Sequence, residues 1–410
     1  MSNESATYHL HVDRGNTAIF SGEGDVEILS GEVDIFGSDE IRSFHIYPSK
    51  AIPVYVKREA SFRVSGSSTM VVKGDPIPSD WRVTVKEDIS SGAMRISTIG
   101  GVDTGKTGLI TYIVNFLVSN GEKVAIIDCD TGQSDIGLPT SIGLGYVDRP
   151  IASLLDIKPY KEYFIGLTSP RKLFHRVLSG LYKLLNLALE DGYRYILLNT
   201  TGWIYGEGLR ELKHRKFELF KPDVIYVVED DLSYQYLSTF HKVKKVSKPS
   251  FILPRSMDVR HGYRSWKYRE YFTKDVKEVE LKISELRFVG GYLFTGRSIK
   301  DMVGIRDDVY IEDIGDKYII IGDMKLDGLN LGKEILKISK EDLIGLMLGF
   351  IDKEGFVVGY GIISDIDPNR DIIRILTPIE KDKINIVHWG YIKLDLESFD
   401  EMGWVEPLTI

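Results

Sequence analysis

One stretch limits what this chain can become: Gly100-Gly101-Val102-Asp103-Thr104-Gly105-Lys106-Thr107, of the form G-x-x-x-x-G-K-T. Arg95 to Ile99 ahead of it reads as a short β-branched strand. Lys106 to Asn120 behind it reads as a helix, with Leu109, Ile110, Ile113, Phe116 and Leu117 on one face and Gly121 as its stop. In that setting the glycines turn backbone N–H groups inward on a phosphate, and the helix N-terminus adds its positive dipole end. Gly100 through Gly108 are therefore the expected nucleotide contacts. Lys106 is expected to reach the β- and γ-phosphates and the Thr107 hydroxyl to hold Mg²⁺.

Composition narrows the partners. A net charge of −8 over 410 residues argues against a broadly basic surface that coats duplex DNA, but leaves room for gripping a nucleic-acid end at a local basic site. Cys129 is the single cysteine, so no internal disulfide framework exists, and a cytoplasmic setting is expected, or a nuclear one in a eukaryote. Met1-Ser2-Asn3-Glu4-Ser5 lacks the basic-then-apolar pattern of a secretory signal, and no apolar run is long enough to span a bilayer, so no membrane role is expected.

The hydrophobic pattern divides the chain in three. Residues 1–93 carry short alternating runs broken by glycine and suggest a small β-sandwich or barrel-like domain. Residues 94–275 alternate strand and helix, the mark of a parallel sheet wrapped by helices. The expected strands are 95–99, 124–127, 195–198, 224–228 and 250–253. From residue 276 onward short strands return, with one helix expected at 340–348. The expected fold class is α/β, a central P-loop parallel-sheet domain flanked by N-terminal and C-terminal β-rich domains.

Ligands of such sheets sit beyond the carboxyl ends of the strands, where Asp128, Asp130 and Gln133, then Asn199 to Trp203, and Arg255 all fall. Asn199 stands where many P-loop proteins carry a Walker B aspartate, so the carboxylate work moves to Asp128 and Asp130. One of that pair would serve the Mg²⁺ shell and the other accept a proton. Gln133 is placed to orient a water or a phosphate, or is a plain loop residue. Trp203 stacks on a base or simply packs. Arg255, Arg260 and Arg264 lie on a stretch of helical character, 255–271, that is either a lid over a transferring phosphoryl group or a solvated basic face. No histidine or cysteine spacing suits zinc.

Taken together, Gly100–Thr107, Asp128-Cys129-Asp130-Thr131-Gly132-Gln133 (D-x-D-x-G-Q), Thr201-Gly202-Trp203 and the three arginines resemble the polynucleotide 5′-hydroxyl kinases of RNA processing. Gly166-Leu167-Thr168-Ser169-Pro170 and Val33-Asp34-Ile35-Phe36-Gly37 resemble further segments of that family. The resemblance implies ATP between the central and N-terminal domains, with Mg²⁺. It makes Asp130 the base for a 5′-hydroxyl, Asp128 a support of the metal shell, and Arg255, Arg260 and Arg264 the lid. Gln133, Thr168, Thr201, Gly202 and Trp203 would meet the acceptor, which is RNA with DNA as a second substrate. RNA-processing proteins would be partners. Two other readings remain open: an ATP-binding scaffold without turnover and a partner-regulated ATPase. Gly108 departs from the Ser or Thr that often follows this loop.

Overall fold

The computed structural model describes residues 7–202, 208–299, 309–322 and 332–406. The chain divides into two compact units. The first comprises Met1–Leu138, Ile142–Glu162 and Phe174–Tyr263; the second comprises Pro139–Ser141, Tyr163–Leu173 and Arg264–Ile410.

The first unit opens with six antiparallel strands, β1 (Thr7–Val12), β2 (Asn16–Ser21), β3 (Gly24–Asp34), β4 (Ser43–Ile46), β5 (Ala51–Ser65) and β6 (Ser68–Lys73). Along β5, Ile52, Val54, Val56, Ala60, Phe62 and Val64 are buried at every second position, the pleat's own period. A helix, α1 (Ser79–Ser90), follows where the sequence suggested more β-structure. Trp81-Arg82-Val83-Thr84-Val85 alternates like a strand. Burial of Trp81 and Val85, one turn apart, with Val83 left at 57% exposure, settles it as a helix.

The same unit holds a second sheet. Its strands are β7 (Arg95–Gly100), β8 (Val124–Cys129), β9 (Ser141–Val147), β10 (Pro159–Phe164), β11 (Tyr195–Thr200), β12 (Val224–Val228) and β13 (Val243–Val246), in the order β10-β9-β8-β11-β7-β12-β13. The run β8-β11-β7-β12-β13 is parallel, and β9 is antiparallel to β8. Helices α2 (Lys106–Val118), α3 (Phe174–Glu190), α4 (Leu209–Phe220) and α5 (Asp231–Leu237) complete its crossovers, and α6 (Met257–Phe272) belongs to it through Tyr263 and to the second unit from Arg264. The α/β class is as expected, with one exchange of strands. Ser250–Leu253 is irregular chain between Pro249 and Pro254, and the fifth parallel strand is Val243–Val246. Its two lysines hide it from a hydrophobic pattern, yet an edge strand with charge is what a sheet border needs.

In the second unit the main sheet runs Lys277–Lys282, Ile372–Thr377, Val357–Asp367, Leu346–Ile351, Ile386–Leu394, Arg287–Val289, with Glu401–Trp404 added to Ile386–Leu394. A four-stranded sheet, Arg297–Ser298, Tyr310–Asp313, Lys317–Ile321 and Glu334–Ile338, accompanies it. The helix expected at 340–348 is a single turn, Lys340–Leu343, capped by Ser339; Gly345 at φ +85° ends it, and Leu346–Ile351 is a central strand. No helix among the described residues is long and apolar enough to cross a membrane.

Candidate active site

The loop between β7 and α2 is the phosphate cradle. Gly105 takes φ +97°, and a Cβ there would come within 2.8 Å of Pro249, so only glycine fits. α2 starts with no side-chain cap and no acid in its first turn, leaving its N–H groups and dipole free for an anion. Lys106 is 7% exposed and donates to the Gly101 carbonyl at 2.5 Å. Burial pulls its ammonium down to about 8, against the pull of the Asp130 carboxylate, with Arg255 adding to the lowering and Asp103 opposing it. A triphosphate in the cradle would supply the counter-charge this lysine needs.

A cavity of about 490 Å³ opens from the cradle. Its lining includes Lys106, Thr107 and Arg255, the apolar Phe36, Ile52, Met70 and Trp81, and Pro249 to Pro254. Charged and apolar residues in one lining match a nucleotide's phosphates and base.

The N-terminal strands reach this cavity because Asn115, buried in the middle of α2, ties three chain segments together. Its Nδ2 donates to the carbonyls of Ile35, Phe36 and Ile151 at 3.2, 3.2 and 3.0 Å, and its Oδ1 accepts from Ile151 N–H at 2.9 Å. Phe36 sits at φ +46°, costly for a bulky residue. The adjoining turn is held by Asp34, which accepts from Gly37 N–H at 2.7 Å. The ring then packs on α2 so closely that a Cβ at Gly108 would lie 3.1 Å from it, which is why no Ser or Thr stands there.

Asp128 closes β8 and is fully buried. Its Oδ1 accepts from Asp130 N–H (3.1 Å) and Asn199 Nδ2 (3.0 Å), its Oδ2 from Asp135 N–H (2.7 Å) and Ile136 N–H (3.2 Å). Both oxygens are thus engaged in shaping the 130–136 loop. Asp128, expected to support the metal shell, is a carboxylate whose oxygens accept from four N–H groups away from solvent and hold the loop in shape. Burial pushes its carboxyl above the ordinary range, the Asp135 and Asp130 carboxylates add to that, and the N–H donors of Asp135 and Asp130 work against it. Asn199 pairs directly across from it on β11, which explains the missing Walker B acid: a second carboxylate there would face the first in the core.

Asp130 stands beyond the strand end. Its Oδ1 accepts from Gly132 and Gln133 N–H at 3.2 and 3.1 Å, fixing the carboxyl group in a turn beside the Lys106 charge. Gln133 donates to the Gly132 and Arg260 carbonyls, both at 3.2 Å, so it ties its loop to the first turn of α6. Tyr263, one turn on, donates to the Ser134 carbonyl and to Asp135 Oδ1, each at 2.9 Å. Lys50 reaches the same Asp135 oxygen at 2.5 Å.

The lid arginines diverge. Arg255, which precedes α6, and Arg260, on its first turn, both pair with Asp103 of the loop. Arg264, which shared their expected role, belongs to the second unit and pairs there with Glu401. Thr168 also lies in the second unit. Thr201 is buried at the end of β11, and a side chain on Gly202 would come within 3.0–3.2 Å of Val102, so this glycine lets the phosphate loop lie against the strand end. Trp203 lies outside the described residues. Lys213 of α4 escaped the sequence reading altogether. It is 4% exposed and donates to Thr201 O at 2.8 Å and to Thr200 Oγ1 at 3.3 Å, and nothing in a run of charged helix residues marks it. Among the described residues no cluster of three or more His, Cys, Asp or Glu side chains is placed to hold a metal.

Comparison with known proteins agrees with this geometry. Residues 100–274 match the family described as the mRNA cleavage and polyadenylation factor CLP1 P-loop. The polyribonucleotide 5′-hydroxyl-kinase of Methanocaldococcus jannaschii is 32% identical over 351 residues, 78% of this chain and 92% of that protein. The chain belongs to the polyribonucleotide 5′-hydroxyl-kinase family. A second member, from Pyrococcus abyssi, is 32% identical over 80% of this chain and 96% of its own length. The family fold extends to the solved Clp1p of the Clp1p–Pcf11p complex, which matches with a TM-score of 0.66 at 14% identity over 96% of this chain and 99% of that one.

Proposed function

We propose that this chain is an ATP-dependent polynucleotide 5′-hydroxyl kinase that transfers the γ-phosphate of ATP to the 5′ end of RNA, with DNA as a second acceptor. The observation that carries the reading is that Asp130, a carboxylate oriented by two backbone N–H groups, lies within electrostatic reach of the buried Lys106 of the phosphate cradle. The base of ATP meets the apolar residues of the cavity lining and its phosphates the cradle. Asp130 takes the proton of the 5′-hydroxyl, whose oxygen attacks the γ-phosphorus as the bond to the β-phosphate oxygen breaks and ADP leaves. Lys106 and the α2 N-terminus hold the phosphates, and Arg255 and Arg260 face the charge that spreads over the transferring group. Arg264 would join them only in a different arrangement of α6.

Thr107 would hold Mg²⁺ through its hydroxyl oxygen, and the ion would supply neutralisation of phosphate charge. Thr107 lines the cavity. Thr168, Thr201, Gly202 and Trp203 would meet the acceptor, a role that rests on the sequence resemblance. A protein partner from RNA processing belongs to the same proposal.

The test is incubation with γ-labelled ATP, Mg²⁺ and RNA or DNA oligonucleotides bearing a 5′-hydroxyl or a 5′-phosphate. Label on the 5′-hydroxyl oligonucleotides alone is expected. Phosphate release without labelled oligonucleotide would make the protein an ATPase, and no turnover at all would leave a scaffold.

A further inference from the structure

A phosphate-binding loop is an unfavourable place for a carboxylate, because it repels the ligand the loop exists to hold. Asp103 stands in that place, in the left-handed region at φ +53° and with its side chain only 13% exposed. It is not idle. Its Oδ2 accepts from the backbone N–H of Arg255 at 2.9 Å and from Arg260 Nη2 at 3.1 Å, and its Oδ1 accepts from Arg255 Nε at 3.0 Å.

The donors left over point to a purpose. Arg255 gives Asp103 its Nε and main-chain N–H, which leaves both terminal Nη groups without a hydrogen-bond partner among the described residues. Arg260 gives one Nη, and its Nε is buried with no partner among the described residues. Arg255 lines the cavity, and both guanidinium groups are held by Asp103 of the loop with donors unused. Each is a planar fork suited to phosphate oxygens. Gln133, reaching the Arg260 carbonyl, and Tyr263, reaching Ser134 and Asp135, hold the first part of α6 from the other side.

We propose that Asp103 is a positioning residue that presents Arg255 and Arg260 to the transferring phosphoryl group, rather than a contact of ATP itself. The inference rests on the kinase reading above. It assigns the loop carboxylate a role at the transition state: it gives up some attraction for the ground-state triphosphate and gains two arginines held where charge develops.

The test compares Asp103→Asn, Arg260→Ala and the double variant in the full chain, reading labelled oligonucleotide and released phosphate in the same tubes and ATP dissociation separately. Asparagine is at home at positive φ, so the loop backbone is kept while the charge is removed. Expected is a fall in kcat of about tenfold for Asp103→Asn, with ATP bound as tightly as before or more tightly. The double variant should lose less than the product of the two single losses, because Asp103 acts in part through Arg260, and the further loss it does show reports the Asp103 contact with Arg255. An unchanged kcat, additive losses, or loss of kcat together with weaker ATP binding would each overturn the proposal, the last by showing that the loop itself was damaged. Wild-type phosphate release without oligonucleotide labelling would sink the acceptor assignment alone, since the Asp103 comparison is then read on the release rate.

Discussion

Replacing Asn199 by Asp tests the buried pair at the centre of the site. Asn199 Nδ2 donates to Asp128 Oδ1 at 3.0 Å, Asn199 is 3% exposed and Asp128 is fully buried. The substitution is nearly isosteric, so packing is kept. It removes a hydrogen bond to a charged acceptor, worth about 1.5–3 kcal/mol, and sets two carboxylates against each other. Leaving a buried charge uncompensated costs about 3–5 kcal/mol, and the smaller end applies here because one group will take up a proton. A loss of about 3 kcal/mol lowers the melting temperature by roughly 6–12 °C in a unit of this size. The pH dependence has a definite sign. The pair's folded-state affinity for a proton rises above that of free Asp, so between about pH 4 and the raised value the folded state holds more protons than the unfolded. Stability of the variant therefore falls as pH rises, and its deficit against wild type should be smaller at pH 5 than at pH 8. Urea unfolding at both values, followed by near-ultraviolet circular dichroism, reads it. A variant as stable as wild type at pH 8, or a deficit that ignores pH, would show that Asp128 is not a buried carboxylate held by Asn199.

Asp130→Asn should lower turnover by about 100-fold or more while the ATP dissociation constant stays within about twofold, since a base is lost and not a phosphate contact; unchanged turnover would remove Asp130 from the chemistry. Gly202→Ala should push the phosphate loop back at Val102 and raise the KM for ATP roughly threefold to tenfold; steady-state kinetics at saturating oligonucleotide would show it, and an unaffected KM would mean that the loop need not lie so close. Lys106 titrates at about 8 in the fold against 10.5 when free, so between those values the unfolded state holds more protons and stability rises with pH. The gain is up to about 3 kcal/mol, and Lys106→Met should abolish this slope in denaturant melts taken across the window.

The local features of this protein were legible because they are written in neighbouring residues. Gly105, Lys106 and Thr107 follow a β-branched strand and precede a helix face, and Asp130 sits at a strand end, so the cradle and the carboxylate proposed as its base could be read from the sequence. The α/β alternation was equally plain. Failures came where a pattern was ambiguous or carried charge: Trp81 to Val85 alternates but is helical, and Val243–Val246 hides as a strand behind two lysines.

What the sequence determined, then, is a nucleotide loop, a carboxylate next to it and the family to which both belong. Tertiary structure alone decided which charges meet. It turned Asp128 into a scaffold by placing four N–H donors around it, paired Asn199 with it across a strand, set Phe36 against Gly108, and gave Arg255 and Arg260 to Asp103 while sending Arg264 to Glu401. Hydrogen bonds and ion pairs act over about 3 Å. Three of the donors to Asp128 lie within eight residues of it, but Asn199 and the residues of the other contacts stand from about 70 to more than 150 positions apart, and only folding brings them within that range.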